Sequence, residues 1–268
     1  MPLAVCATPI GNLEDVTLRV LAELAAADVV LCEDTRRTRI LLGRHGIEAR
    51  LLSCHEHNEA SRTAQLLPRL VAGERVALVS DAGLPGVNDP GARIVTAALE
   101  AGVPVTVLPG PSAVETALVV SGLVGAQYRF VGYLPRRASE LAELWRGLAG
   151  WSHPVVAFES AKRLGSALAS LAAVDPDRAV VVCRELTKVY EEVVRGSAAE
   201  LAERYREAPK GEITLVIGPA SGTGKPDGDV AREAVAELIS AGTPRRAAVG
   251  VVARLTGSSR NELYRRSL

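Results

Sequence analysis

Aromatic side chains are scarce in this sequence: two Trp, five Tyr and two Phe among 268 residues, or 3%. So few rings exclude a wide platform on which successive bases stack. Paired thiols are also missing. Cys6, Cys32, Cys54 and Cys183 form no CxxC, and three of them sit in apolar, strand-like runs. That pattern fits buried free thiols in a reducing compartment, so a cytoplasmic location is expected. There is no bias of charge, with 31 basic residues against 31 acidic ones, and any nucleic-acid surface must therefore be local. No apolar run approaches the roughly 18 residues of a membrane span, and Met1–Cys6 lacks the basic-then-apolar pattern of a leader; no membrane partner is expected. GxGxxG, the phosphate-binding GxxxxGK[ST] and GxSxG are all absent. Their absence argues against a dehydrogenase, a kinase and a serine hydrolase.

What is present is alternation. Leu3–Ala7, Asp28–Cys32, Arg50–Leu52, Arg75–Val79 and Pro104–Leu108 read as strands, several of them continuously apolar, as in a sheet covered on both faces. Helical stretches lie between them: Leu18–Ala27 capped by Thr17, Arg36–Arg44, Glu59–Ala72, Gly91–Ala101 with Asp89 as a cap, and Ala113–Val120 capped by Ser112. This order predicts an α/β fold with a mainly parallel first sheet. A second α/β half follows, with strands at Tyr128–Gly132, Pro154–Phe158, Ala179–Cys183, Val189–Arg195 and Glu212–Ile217. The last gap but one is too short for a helical crossover, so this sheet is expected to be mixed, with an antiparallel pair. A Gly-rich linker at 218–228 then leads to three short helices. The expected domains are 1–111, 112–218 and a basic module at 229–268. From Ala241 to Leu268 six arginines face one acid, a net +5 over 28 residues.

In a parallel sheet, ligands bind beyond the carboxyl ends of the strands. The segments leaving those ends are Thr8–Asn12, Glu33–Arg37, Ser53–Asn58, Ser80–Asp89 and Pro109–Ser112. Ser80–Gly91 holds three glycines, two prolines and two aspartates, a long shaped loop that suits a ligand better than bare surface. Glu33–Thr38 is either a solvated helix start or a groove for phosphates. His55 and His57 have HxH spacing, but no other His or Cys cluster completes a metal site, so no metal is expected. RELTK at Arg184–Lys188 reads singly as a turn.

ATPIGNLEDVT, CEDTRRTRILL, SCHEHNE, VSDAGLPGVNDPG, LPGPSA, FES, RELTK and KGEITLVI follow one another in this order. As an ordered set they resemble the tetrapyrrole-methylase superfamily, and within it the branch that methylates the 2′-oxygen of a cytidine in 16S ribosomal RNA. The tail RLTGSSRNELY is similar to that branch's C-terminal helical domain. Members that methylate tetrapyrroles usually carry a GxGPG-like first turn and GDP, where this chain has ATPIG and SDAG. The resemblance implies a cleft between two α/β domains holding S-adenosylmethionine, and a homodimer. It implies that Pro9, Ile10, Asp81, Gly83, Leu84, Pro85, Ser112 and Ala113 border the cofactor, with Phe158, Leu186 and Ile213 closing over it. Arg36, Arg37 and His55 would face RNA of the small ribosomal subunit, joined by Arg245, Arg246, Arg254 and Arg260 of the basic tail.

A ribose 2′-hydroxyl is a poor nucleophile unless its proton is accepted as the new bond forms. Asp34, Glu33 and Glu56 are the candidate acceptors on the correct edge. Two rival readings stay open: a small-molecule methyltransferase with the same cleft, and a nucleic-acid-binding regulator whose α/β body senses a ligand.

Overall fold

The computed structural model describes residues 2–86, 89–220, 228–256 and 258–267. Strands β1 (Leu3–Cys6), β2 (Val29–Cys32), β3 (Leu51–Ser53), β4 (Val76–Val79) and β5 (Val105–Leu108) form a five-stranded sheet in the order β3-β2-β4-β1-β5. Every pairing in it is parallel. The apolar runs have their cause in two helical layers. Helices α1 (Leu18–Ala26) and α2 (Thr35–Arg44) cover one face through Val20, Leu24 and Leu42. On the other face lie α3 (Glu59–Val71) and α4 (Ala92–Glu100), which insert Leu66, Leu70, Ile94 and Ala98.

Thr17 caps α1 as expected, accepting a hydrogen bond from the Val20 amide at 3.2 Å. Asp89 does not cap α4. The helix begins after Gly91, whose φ of 126° only glycine adopts readily. Its first amides, Gly91 N and Arg93 N, instead donate to Glu59 Oε1 at 2.9 and 3.0 Å. A carboxylate from α3 has taken the capping role and left Asp89 for other work.

The second sheet holds β6 (Arg129–Tyr133), β7 (Val155–Ser160), β8 (Ala179–Arg184), β9 (Glu192–Ser197) and β10 (Glu212–Ile217), in the order β6-β7-β10-β8-β9. Only β6 and β7 run parallel. The expected single antiparallel pair becomes three, because β10 inserts between β7 and β8 and runs against both, while β8 and β9 form a hairpin. The strand expected from Val189 starts at Glu192, since Val189 and Tyr190 belong to an exposed turn. Helices α6 (Ala138–Gly147), α7 (Leu164–Ala172) and α8 (Ala198–Arg204) bury one face through Trp145, Leu168 and Leu201. The other face meets α5 (Ala113–Ser121), whose Val114, Ala117 and Leu118 pack on Val156, Val181 and Val216. Ile10 of the β1 loop joins that cluster and ties the first sheet to the second.

Helices α9 (Gly228–Ser240), α10 (Arg245–Thr256) and α11 (Arg260–Arg266) surround a separate core of Ala231, Val235, Ala248, Val249, Val252 and Leu263. Most of the linker expected at 218–228 lies outside the described residues.

Candidate active site

Because β1, β2, β4 and β5 are parallel, the loops after all four emerge at one edge of the first sheet. Thr8 and Gly83 lash two of them together: each amide donates to the other's carbonyl, at 2.8 and 3.0 Å. Gly83 has a φ of 84°, which lets the turn double back against β1. Between this edge and the second sheet opens a cavity of about 760 Å³. Nine of the residues expected at a cofactor line it: Ile10, Asp81, Gly83, Leu84, Ser112, Ala113, Phe158, Leu186 and Ile213. Pro9 and Pro85 are buried and shape the loops from behind the wall. Ser112 stands at the N-cap position of α5 without capping it. Its hydroxyl donates to Glu115, whose other carboxylate oxygen accepts from the Tyr128 hydroxyl at 2.5 Å.

The walls differ in character. From the first sheet come three carboxylates, those of Glu33, Asp81 and Asp89, with Arg37 beside them. Asp81 is held on both oxygens: Oδ1 accepts from the Asp34 amide at 2.9 Å and Oδ2 lies 3.5 Å from Arg37 Nε. Glu33 is raised above the usual carboxylate range by burial and by the neighbouring Asp81 charge. Asp89 is pushed up to about 6 by burial and then by the Glu33 charge. From the second sheet come Phe130, Phe158, Tyr133, Ile213 and the buried Cys183 and Leu186. The rings of Phe130 and Tyr133 meet Phe158 edge-on, at centroid distances of 5.1 and 5.5 Å.

The other candidate acceptors sit elsewhere. Asp34 caps α2 by accepting from the Arg36 amide at 2.8 Å, and it also takes Arg36 Nε and Nη2 at 3.0 and 2.6 Å. Those bonds hold its carboxyl down at about 2, and it does not line the cavity. Glu56 and His55 are exposed on the loop after β3, outside the cavity wall. Arg36 is exposed at the rim, while Arg37 reaches the cavity. Arg245, Arg246, Arg254 and Arg260 lie on α10 and α11 and do not line it.

A latch that the RELTK turn only hints at closes the cleft. Glu185 and Thr187 adopt φ of 52° and 66°, costly for side-chain-bearing residues at about 1–3 kcal/mol each. Lys188 Nζ donates to Glu185 and Glu212 at 2.8 and 3.0 Å, and the Glu212 amide donates to Glu185 at 2.8 Å. Thr187 Oγ1 then accepts from the Asn12 amide at 3.0 Å, across the two domains. Gly11 makes this approach possible: a Cβ there would come within 2.5 Å of Lys188 Cγ. The strained turn thus presses Leu186 into the cleft. Positive φ at Glu and Thr has no signature in sequence. Asp89 and Tyr133 are the other site residues that sequence reasoning did not single out.

Among the described residues no group of three or more His, Cys, Asp or Glu is arranged to hold a metal, and no helix is long and apolar enough to cross a membrane. All four cysteines are free and buried, and burial pushes the Cys6 and Cys183 thiols up to about 12 and about 11, far from nucleophilic.

A sheet-edge cleft with an acidic wall facing an apolar one is the frame of this class of transferase, and the comparisons agree. The model of the Tetrapyrrole (Corrin/Porphyrin) Methylases matches residues 2–202, and the chain belongs to that family. A Mesorhizobium japonicum protein called Ribosomal RNA small subunit methyltransferase I is 41% identical over 269 residues, covering 99% of this chain and 91% of its own. One of the same name from Thermotoga maritima is 42% identical over 216 residues, which is 80% of this chain and 97% of the relative. A crystal structure of uroporphyrin-III C-methyltransferase from Thermus thermophilus, complexed with S-adenyl homocysteine, shares the fold with a TM-score of 0.56 at 20% identity, over 83% of this chain and 99% of that one.

Proposed function

We propose that this protein transfers a methyl group from S-adenosylmethionine to the ribose 2′-oxygen of a cytidine in 16S ribosomal RNA of the small subunit. The observation that carries the reading is the near full-length identity to proteins named for methylating small-subunit ribosomal RNA. The cleft is consistent with it. S-adenosylmethionine combines a sulfonium cation with a flat adenosine, and the cavity combines an acidic wall with an apolar aromatic one. When bound, that group supplies a methyl already activated for displacement, so orientation provides most of the acceleration. Asp81, fixed by Asp34 N and Arg37, would face its cationic end. Ile10, Leu186 and Ile213 would enclose the adenine, and the amides of Gly83 and Ala113 would take its polar atoms. The chain's remaining task is to bring the 2′-hydroxyl up and take its proton.

The C-terminal module would grip the RNA backbone. Arg246, Arg254 and Arg260 are exposed on helices that surround their own core, with no ion pair to any described residue. Arg36 and Arg37 would hold phosphates at the rim. A cytoplasmic homodimer belongs to the same reading, and Val189 and Tyr190, 93% and 75% exposed, offer apolar surface for a second copy.

The test is to offer methyl-labelled S-adenosylmethionine with small ribosomal subunits in one reaction and uroporphyrinogen in another. Label is expected in the RNA alone; label in the tetrapyrrole alone would refute the reading.

A further inference from the structure

Asp89 is the carboxylate that its own sequence context assigns to something else. Asp89-Pro90 reads as a helix cap, yet Glu59 caps α4 and Asp89 turns into the cleft. There it meets groups from three other elements. Glu33 comes from the end of β2, Asp81 and Ser80 from the end of β4, and Tyr133 from the end of β6. Asp81 is fixed by the Asp34 amide and Arg37, and Asp34 is spent on Arg36. Asp89 and Glu33 are therefore the carboxylates on this wall without a cation bound directly to them among the described residues. Opposite them stands Tyr133, 65% exposed, its ring braced edge-on by Phe158.

We propose that Asp89, Glu33 and Tyr133 form the subsite for the acceptor nucleoside, with Asp89 accepting the 2′-hydroxyl proton, Glu33 tuning it, and the Tyr133 ring stacking on the base. The inference rests on the ribose-methylating reading above. As the 2′-oxygen pair bonds to the methyl carbon, the carbon–sulfur pair stays with sulfur, which leaves as a neutral thioether. The hydroxyl proton passes to the Asp89 carboxylate and from there to water. A carboxylate raised to about 6 is still ionised near neutral pH and is a far better acceptor than an ordinary one. One exposed aromatic suffices to hold a single unstacked base, which suits a chain with so few rings.

The experiment is single-turnover methyl transfer to small ribosomal subunits between pH 5 and 8 with the full chain and its variants. Wild-type rate should fall as pH drops through about 6. Asp89→Asn should lose about 10²–10⁴-fold in rate, while its affinity for S-adenosylhomocysteine, measured by calorimetry, stays within about twofold. Glu33→Gln should move the acid limb to lower pH, because a charge that raises Asp89 has gone. Independently of turnover, carbon-13 NMR should show an Asp carboxyl titrating near 6 that Asp89→Asn removes. Tyr133→Ala should weaken RNA binding about tenfold, and Tyr133→Phe should restore it. Full activity of Asp89→Asn with the acid limb intact would overturn the proposal, and so would loss of S-adenosylhomocysteine binding, which would move Asp89 to the cofactor. If the wild type methylates no RNA, the underlying reading fails instead.

Discussion

The two sheets contribute opposite chemistry to one cleft. In the parallel sheet, four strand ends point the same way, so polar loops are gathered at one edge and their carboxylates become neighbours. In the mixed sheet, neighbouring strands run against one another, and what it offers the cleft is chiefly one face, carrying Phe158, Ile213 and Leu186. A parallel edge collects charge and a mixed face supplies apolar area. Joined, they suit a ligand that is cationic at one end and flat at the other.

The comparison breaks first at the latch. Gly11→Val should force the two walls apart, because its Cβ would meet Lys188, Thr187 and the Leu186 carbonyl below 3 Å. Overpacking of this kind costs about 1–3 kcal/mol, and cofactor affinity measured by calorimetry should fall more than the melting temperature does. Next is the basic module, which belongs to neither wall. Replacing Arg246, Arg254 and Arg265 together by Gln should weaken RNA binding about tenfold or more and flatten its dependence on log salt by about 2–3 units. S-adenosylhomocysteine affinity should not change. The Thermotoga maritima relative, 97% of which is matched by 216 residues, leaves a fifth of this chain without a counterpart. Chemistry without a module is thus consistent with the family.

Two smaller effects sharpen the acidic wall. Glu59→Ala should cost about 1 kcal/mol by uncapping α4, read from urea unfolding. Asp89→Asn should do the reverse. Asp89 is raised in the folded state, so the fold favours its neutral form, and ionising it costs stability once pH passes about 6. The variant should be as stable as the wild type near pH 3. The gap should open between about pH 4 and 6 and reach about 1 kcal/mol at pH 8. A variant that gains stability while losing catalysis marks a group strained for function.

Much of this was legible in the sequence. The order of strands and helices, the shared edge and nine of the cavity residues follow from periodicity, topology and ordered motifs. What escaped were features made by tertiary approach. Asp89-Pro90 is a sound capping signal, but Glu59, 32 residues away, reaches the same amides. Asp34 looks like a free carboxylate in EDTRRT, yet Arg36, two residues on, occupies it. β10 lies between β7 and β8 because of a pairing that no local pattern encodes, and the left-handed turn at Glu185 and Thr187 carries no glycine to announce it.

The central claim is a methyl group on a ribose oxygen, and the position of that methyl is directly measurable. After reaction with trideuteromethyl-labelled S-adenosylmethionine, small-subunit RNA should be digested to nucleosides and analysed by mass spectrometry. The account predicts a single labelled nucleoside, cytidine, with the label lost together with the ribose on fragmentation. Label retained on the base, or carried by a nucleoside other than cytidine, would contradict it.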